Sequence, residues 1–247
     1  MLSNALNDHI NAFKTTFKLL LSRKLWGYFI PGLIIFFFYL IFSSVTFFTF
    51  KILEVGKFLP FVGTYFFKGI NLTHNFIDGF YFLTYYFFVV TLFSPINTFL
   101  SEKVETEVNG NRFTIGFLGL MRDLLRTILI VVLAGLILVI LKLFVYTTFS
   151  IFGIGFLSPY ITFLITVFFT GFNSYDYALE RHRVGIKDSF AFGKHYWQYM
   201  LLTGFVFYFF LSIPLVGVIL APFFYTTVGS YCYLKISERS KQVNVQQ

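Results

Sequence analysis

The densest group of charged side chains that could do chemistry follows an apolar run ending near residue 175. It spans residues 176–183 and contains two acids, two arginines and a histidine. Arginine presents a planar fork of N–H donors that suits oxyanions, so Arg181 and Arg183 are candidates for binding an anion. The same stretch could instead anchor the chain at a membrane surface or form ion pairs that fix a helical hairpin. If these charged residues form ion pairs, we expect a structural polar cluster of Asp176, Glu180, Arg122, Asp123 and Arg126.

A second candidate anion site lies near the N-terminus. Arg23 and Lys24 stand just before Trp26 and the first long apolar run. Free backbone N–H groups and the helix dipole favour an anion at a helix N-terminus. Interfacial anchoring by basic side chains explains the same residues equally well. Lys142 is a weaker candidate, because it stands inside an apolar run but close enough to its end to snorkel towards water.

Other chemistries lack the residues they need. The sequence has no phosphate-binding glycine loop, zinc-ligand spacing or nucleophile elbow, and its four histidines are dispersed. Cys232 is the single cysteine, so the chain alone forms no disulfide. We therefore expect no enzyme activity, no metal and no cofactor.

The composition predicts a protein of the lipid bilayer. Apolar residues make up 57% of the 247 residues and charged residues 12%, about half the share usual in soluble domains. Phenylalanine occurs 39 times, in runs that would aggregate in water. The net charge of +8 is scattered between the apolar runs, so nucleic-acid binding is not expected. We expect one membrane domain over residues 1–247.

Hydrophobic patterning divides that domain into elements. Residues 1–27 contain an amphipathic stretch that predicts an interfacial helix, with Ile10, Phe13 and Phe17 among its apolar positions. Charge-free runs over residues 28–50 and 79–101 predict two long transmembrane helices. All fold elements are helical, so the predicted class is an all-α integral membrane protein.

Two later segments, 127–176 and 200–234, predict helical hairpins. Their turns carry helix breakers but no charge, whereas a turn in water normally carries polar side chains. The first arm of the second hairpin has about 14 apolar residues, fewer than the ~20 that a span needs. The hairpins are therefore expected to enter the bilayer part way; complete crossing with tight turns at the far side is the alternative. The predicted helix breaks are Pro95, Pro214, Gly217 and Pro222.

The distribution of basic residues predicts the orientation. Lysine and arginine are concentrated before residue 28, in residues 101–126 and 181–194, and at the C-terminus. Paired hydrophobic elements place all these segments on one side, so both termini are expected in the cytoplasm. Partly inserted hairpins also need cover for their turn backbone, which favours a homo-oligomer in the lipid bilayer.

Several motifs, in order along the chain, resemble the CysZ sulfate permease family, which also includes the etoposide-induced membrane proteins. The matching stretches are Phe93–Asn97 with Leu100–Glu105, Met121–Arg126, Asp176-Tyr177 with Glu180-Arg181, and Ile213–Val216 with Ala221-Pro222 and Val228–Ser230. The resemblance implies two long transmembrane helices, two partly inserted hairpins, an oligomer and sulfate uptake in bacteria. Arg23, Lys24 and Leu25 stand where such proteins have a Gly-hydrophobic-Arg motif.

Two functions follow as hypotheses. The first is a permease or channel for sulfate or a related small anion, located in the bacterial inner membrane. The alternative is a membrane scaffold or regulator of the same fold that transports nothing, which the missing glycine of the motif favours.

Overall fold

The computed structural model describes most of the chain outside its second quarter. The described residues are 2–30, 33–34, 36–37, 40–41, 44, 94–110, 117–214 and 216–245. Within these ranges every regular element is helical, which agrees with the predicted all-α class. Most of the two predicted transmembrane helices over 28–50 and 79–101 lies outside the described residues.

Seven α-helices are described in full. They are α1 (Leu2–Leu21), α2 (Ser94–Asn109), α3 (Phe117–Ile151), α4 (Ser158–Arg181), α5 (Ile186–His195), α6 (Trp197–Leu211) and α7 (Gly217–Val245). Short 3₁₀ helices occupy Trp26–Phe29 and Gly155–Leu157. Much of the stretch 101–126, in which basic residues are concentrated, is therefore helical. Gly110 follows the last residue of α2 and takes a φ of +74°, a backbone conformation that glycine adopts without strain.

Helices α3 and α4 form the first hairpin. Both are long and apolar enough to cross a membrane, and they are the two such helices in the described ranges. Their turn exposes large apolar side chains, Ile151, Phe152 and Phe156 among them. Backbone N–H groups in the turn find partners within it, as in the hydrogen bond from Ile154 to Phe149 at 2.9 Å. Such internal pairing is what a turn in lipid requires.

Helices α6 and α7 form the second hairpin. α6 has 15 residues and is about 22 Å long, shorter than the ~30 Å hydrocarbon layer. Pro214 lies in the turn, and Gly217 begins α7 with its N–H donating to the Ile213 carbonyl at 2.9 Å. The break predicted at Pro222 is wrong, because α7 continues through it to Val245. A proline removes one hydrogen bond from a helix, which the packed helix tolerates here.

The interior is built by close contact of α4, α6 and α7. A Cβ added to Gly171 of α4 would lie 1.8 Å from the Met200 carbonyl oxygen of α6. A Cβ on Gly204 of α6 would lie 1.9 Å from the carbonyl oxygen of Val167. The two backbones therefore touch, as is common where small residues line a helix interface in membranes. A Cβ on Gly229 of α7 would lie 1.9 Å from the side-chain Oγ of Ser174 on α4.

Helix α1 has three different faces. Its small and polar face packs on α6 and α7, and the buried residues are Ala5, Asp8, His9, Ala12, Thr16 and Leu19. The large apolar side chains predicted for the membrane surface include Ile10 and Phe17, which are about half exposed. Lys14 and Lys18 are also exposed. The side chain of Phe13 is half buried and contacts Phe210 and Phe224, so it belongs to the protein side instead.

Candidate functional site

One cation from each of the two candidate sites pairs with a glutamate in the C-terminal half of α2. Glu105 of α2 binds Arg181 at the end of α4, and Glu107 binds Lys24 in the turn after α1. The two helix ends that carry the candidate cations are therefore fixed to the same short helix. An α-helix C-terminus carries partial negative charge, so cations gathered there are favourable.

Arg181 lies in a buried ion pair. Its Nη2 and Nε donate to Oε2 of Glu105 at 2.7 and 3.1 Å, and both side chains are 1% exposed. His182 donates from Nε2 to the same oxygen at 3.3 Å. Burial acts to raise the pKa of Glu105, but the His182 hydrogen bond and the Arg181 charge outweigh it and lower that pKa. The charge of Arg181 is satisfied inside the protein, which favours the ion-pair interpretation of this residue over anion binding from solution.

Arg126 joins α3 to α4, to α5 and to the turn between them. From α3, its Nη2 donates to Asp176 Oδ1 at 3.1 Å and to Ser189 Oγ of α5 at 2.8 Å. The same group donates to the Val184 carbonyl at 3.1 Å, and Nη1 lies 3.7 Å from a Glu180 oxygen. Both carboxylates are buried, so the arginine supplies charge that they need. The structure thus brings together three of the five residues of the predicted polar cluster.

The end of α1 holds Arg23 in a left-handed conformation, with φ +58°. The N–H of Arg23 donates to Leu20 at 2.9 Å and that of Lys24 to Leu19 at 3.2 Å. This pair of bonds is the Schellman motif, in which the left-handed residue is usually glycine. A side chain in that conformation costs about 1 kcal/mol relative to glycine. The basic residue therefore occupies a position that backbone chemistry alone would give to glycine.

The end of α4 repeats this arrangement. Arg183 also has φ +58°, and its N–H donates to Glu180 at 2.8 Å while that of Val184 donates to Leu179 at 3.0 Å. In the described ranges these two arginines are the non-glycine residues with positive φ. Strained backbone of this kind concentrates at functional sites. Both arginine side chains are exposed, in contrast to Arg181.

Lys24, the fourth candidate, is bound to the protein's own carboxylate. Its ammonium donates to Glu107 Oε2, and Lys103 reaches Oε1 of the same group at 2.9 Å. The hydrogen bonds from Lys24 and Lys103 lower the pKa of Glu107, so it is ionised at neutral pH. Arg23 lies over the ring of Trp26, 5.5 Å from its centre, which holds the guanidinium at the surface. The turn thus presents two adjacent cations, one of them paired.

A further charged group was not foreseen from the sequence. Asp8 of α1 accepts a hydrogen bond from the Tyr199 hydroxyl at 2.8 Å and pairs with Arg239 of α7. Beside it, His9 accepts from Thr203 at 2.9 Å and donates to the Ala5 carbonyl at 2.7 Å. The contacts join residues about 200 positions apart, and no local pattern marks them. They fix α1 to the second hairpin.

The remaining candidates are placed as follows. Arg122 is exposed, and Lys142 is half buried in α3. The side chain of Asp123 lies outside the described part, and Pro95 is the second residue of α2. Among the described residues no three histidine, cysteine, aspartate or glutamate side chains form a metal site.

Comparison with known protein families gives one match over most of the chain. The model of the family described as sulfate transporter CysZ/etoposide-induced protein 2.4 matches residues 12–222. This range includes both arginine turns, α2 and both hairpin turns. No curated protein matches the sequence.

Proposed function

Because the chain belongs to the sulfate transporter CysZ/etoposide-induced protein 2.4 family, we propose that it is a membrane permease or channel for sulfate or a related small anion. Family membership and the two long apolar helices suggest an integral membrane protein. The family is one of transporters, not of enzymes, and it gives the proposal its substrate class. The structure of this chain adds the arrangement of the cations that would bind the anion.

The observation that carries the proposal is Arg23 at a glycine position. Arginine in this left-handed conformation costs about 1 kcal/mol relative to glycine. The presence of a cation there is explained if its positive charge binds the anion. Arg23 and Lys24 lie side by side at the end of α1, where two positive charges suit a doubly charged oxyanion. We assign this turn as the entry site for the anion. Exposed Arg183, on the second strained turn, adds positive potential at the end of α4.

The proposed setting is a bacterial inner membrane with both termini in the cytoplasm. The exposed apolar side chains of α3 and of the hairpin turns would face lipid or another copy of the chain in a homo-oligomer. Short α6 would enter the bilayer part way. The positive-inside rule then puts both arginine turns at the cytoplasmic surface.

Sulfate uptake into liposomes tests the proposal. Purified protein is compared with empty liposomes and with the double variant Arg23→Ala/Lys24→Ala. We expect saturable uptake by the wild type and a fall to background in the double variant. A wild type that is folded yet passes neither sulfate nor sulfite contradicts the proposal.

A matched variant separates the charge from the backbone. Arg23→Gly removes the cation and relieves the left-handed conformation, so we expect a stability gain of up to about 1 kcal/mol together with reduced uptake. If Arg23 serves only to end α1, the glycine variant should be more stable and transport as before. Lys235→Ala, which removes a cation on α7, is the control for a general loss of charge.

One observation favours the alternative, a membrane scaffold or regulator. Arg181 and Lys24 are both engaged with glutamates of α2, so two of the four candidate cations already have structural partners. A folded, oligomeric protein that moves no anion in any of the liposome experiments would support this function.

A further inference from the structure

Glu107 places a negative charge on the proposed entry site. Its carboxylate lies between Lys24 and Lys103 and is 15% exposed, while Lys24 itself is half exposed. The three side chains come from two separate elements, the turn after α1 and helix α2. The ammonium of Lys24 is thus occupied by an oxygen anion that belongs to the protein.

A glutamate carboxylate and an inorganic oxyanion offer a lysine the same kind of partner, a negatively charged oxygen that accepts N–H bonds. We propose that Glu107 is an internal competitor for the transported anion, which must displace its carboxylate from Lys24 in order to bind. The inference rests on the proposed function and adds a residue that sets the affinity of the site. Lys103 then retains the displaced carboxylate, because it binds the other oxygen.

The strength of the Lys24 pair is suitable for such an exchange. A partly exposed ion pair contributes about 0.2–1 kcal/mol, so its competition weakens binding by about 1.4- to 5-fold. A buried pair such as Arg181 with Glu105 would resist displacement far more strongly. Of the two glutamates on α2 with pairs to a candidate cation, Glu107 is therefore the exchangeable one.

Weak binding has a use in transport. An anion held by two unopposed cations would leave slowly, whereas a carboxylate that returns to Lys24 assists release. Conduction requires a site that is favourable enough to enter and weak enough to leave. Glu107 would thus shift the site towards rapid release at the expense of affinity.

The test is the sulfate concentration that gives half-maximal uptake in liposomes, measured for wild type and Glu107→Gln. We expect the variant to reach half-maximal uptake at a concentration about 1.4- to 5-fold lower. Sulfate binding to the purified proteins, measured by calorimetry, should show the same ratio. Two controls remove a carboxylate elsewhere: Glu102→Gln on α2, and Glu238→Gln, which breaks a 2.7 Å surface pair with Lys235.

The outcomes separate the two claims. If the wild type shows neither saturable uptake nor binding of sulfate, the proposed function itself fails. If the wild type saturates and Glu107→Gln is unchanged or weaker, the competitor is overturned while the function stands. An equal gain in Glu102→Gln and Glu107→Gln overturns it as well, because a general change in potential then explains both.

Discussion

The two helices of the first hairpin are both apolar and long, yet they have opposite surroundings. Most side chains of α3 are exposed or half buried, whereas all those from Phe169 to Arg181 of α4 are buried. α3 has leucine, isoleucine and valine on all sides, whereas α4 has polar and small residues among its aromatic ones. The more apolar helix is therefore the outer one.

This order is the reverse of a water-soluble fold, in which the most apolar helix is buried. In lipid no hydrophobic force gathers apolar side chains, so helices associate through close packing and hydrogen bonds. α4 provides both, with Gly171 against α6 and with the ionic groups at its C-terminal end. α3 contributes Arg126 to one of these groups and otherwise exposes apolar surface. The contrast predicts where the protein tolerates change.

The largest expected effect separates two glycines. Gly171→Leu on α4 should prevent folding, because even a Cβ there would meet a backbone oxygen at 1.8 Å and the α4–α6 contact cannot widen without losing the core. Gly135→Leu on α3 adds the same side chain where nothing lies within 4 Å. We expect that variant to be as stable as wild type or up to about 1 kcal/mol more stable. Recovery of monodisperse protein in detergent and its melting temperature measure both.

Equal tolerance at the two positions would contradict the assignment of inner and outer helices. A Gly135→Leu variant that misfolds would show that the exposed side of α3 is covered, as by another copy of the chain. Gly171→Ala gives an intermediate test, since it introduces only the Cβ.

The sequence predicted that both helices exist but not which of them is buried. Apolar runs located both arms, and charge-free turns with helix breakers located the hairpin bends, the second of them at Pro214 and Gly217. The sequence did not predict which arm is buried. Gly171 and Gly204 are 33 positions apart, and their contact depends on how the helices cross. The helix break predicted at Pro222 is wrong, because the prediction considered the local effect of proline and not the packing of α7.

The second prediction compares the removal of a charge that pairs with α4 and the removal of a charge on α3. Glu105→Gln leaves the buried guanidinium of Arg181 at the end of α4 without its counter-charge, which should cost about 3 kcal/mol. Lys142→Gln neutralises the half-buried cation of α3 and should change stability by less than about 1 kcal/mol. Unfolding of both variants in the same detergent measures the difference. Similar losses would mean that Lys142 also has a buried role.

The candidate site shows the same division between local and distant information. Sequence alone selected Arg23, Lys24, Arg181 and Arg183, but it expected the first two at a helix N-terminus, whereas they follow the C-terminal end of α1. It could not show that Arg181 is buried against Glu105, 76 positions away, while Arg183 is exposed. The sequence did contain a signal for the strained turn at Arg23, because Arg23, Lys24 and Leu25 stand where family members have the Gly-hydrophobic-Arg motif. Glu107 gave no signal, because one acid among several on α2 has no distinguishing neighbour.

The smallest expected effect is a difference in acid sensitivity. The pKa of Glu105 is lower in the folded protein than its usual value, so its ionised form contributes stability above that usual value, near 4.3. This contribution is lost as the pH falls through the lower, folded pKa. Melting temperatures of wild type and Glu105→Gln should therefore converge as the pH is lowered from 7 towards 3.5. Lys142→Gln should parallel wild type, because residues 127–151 contain no carboxylate. Curves for Glu105→Gln and wild type that stay parallel in acid would contradict this prediction, because Arg181 would then not depend on an ionised Glu105.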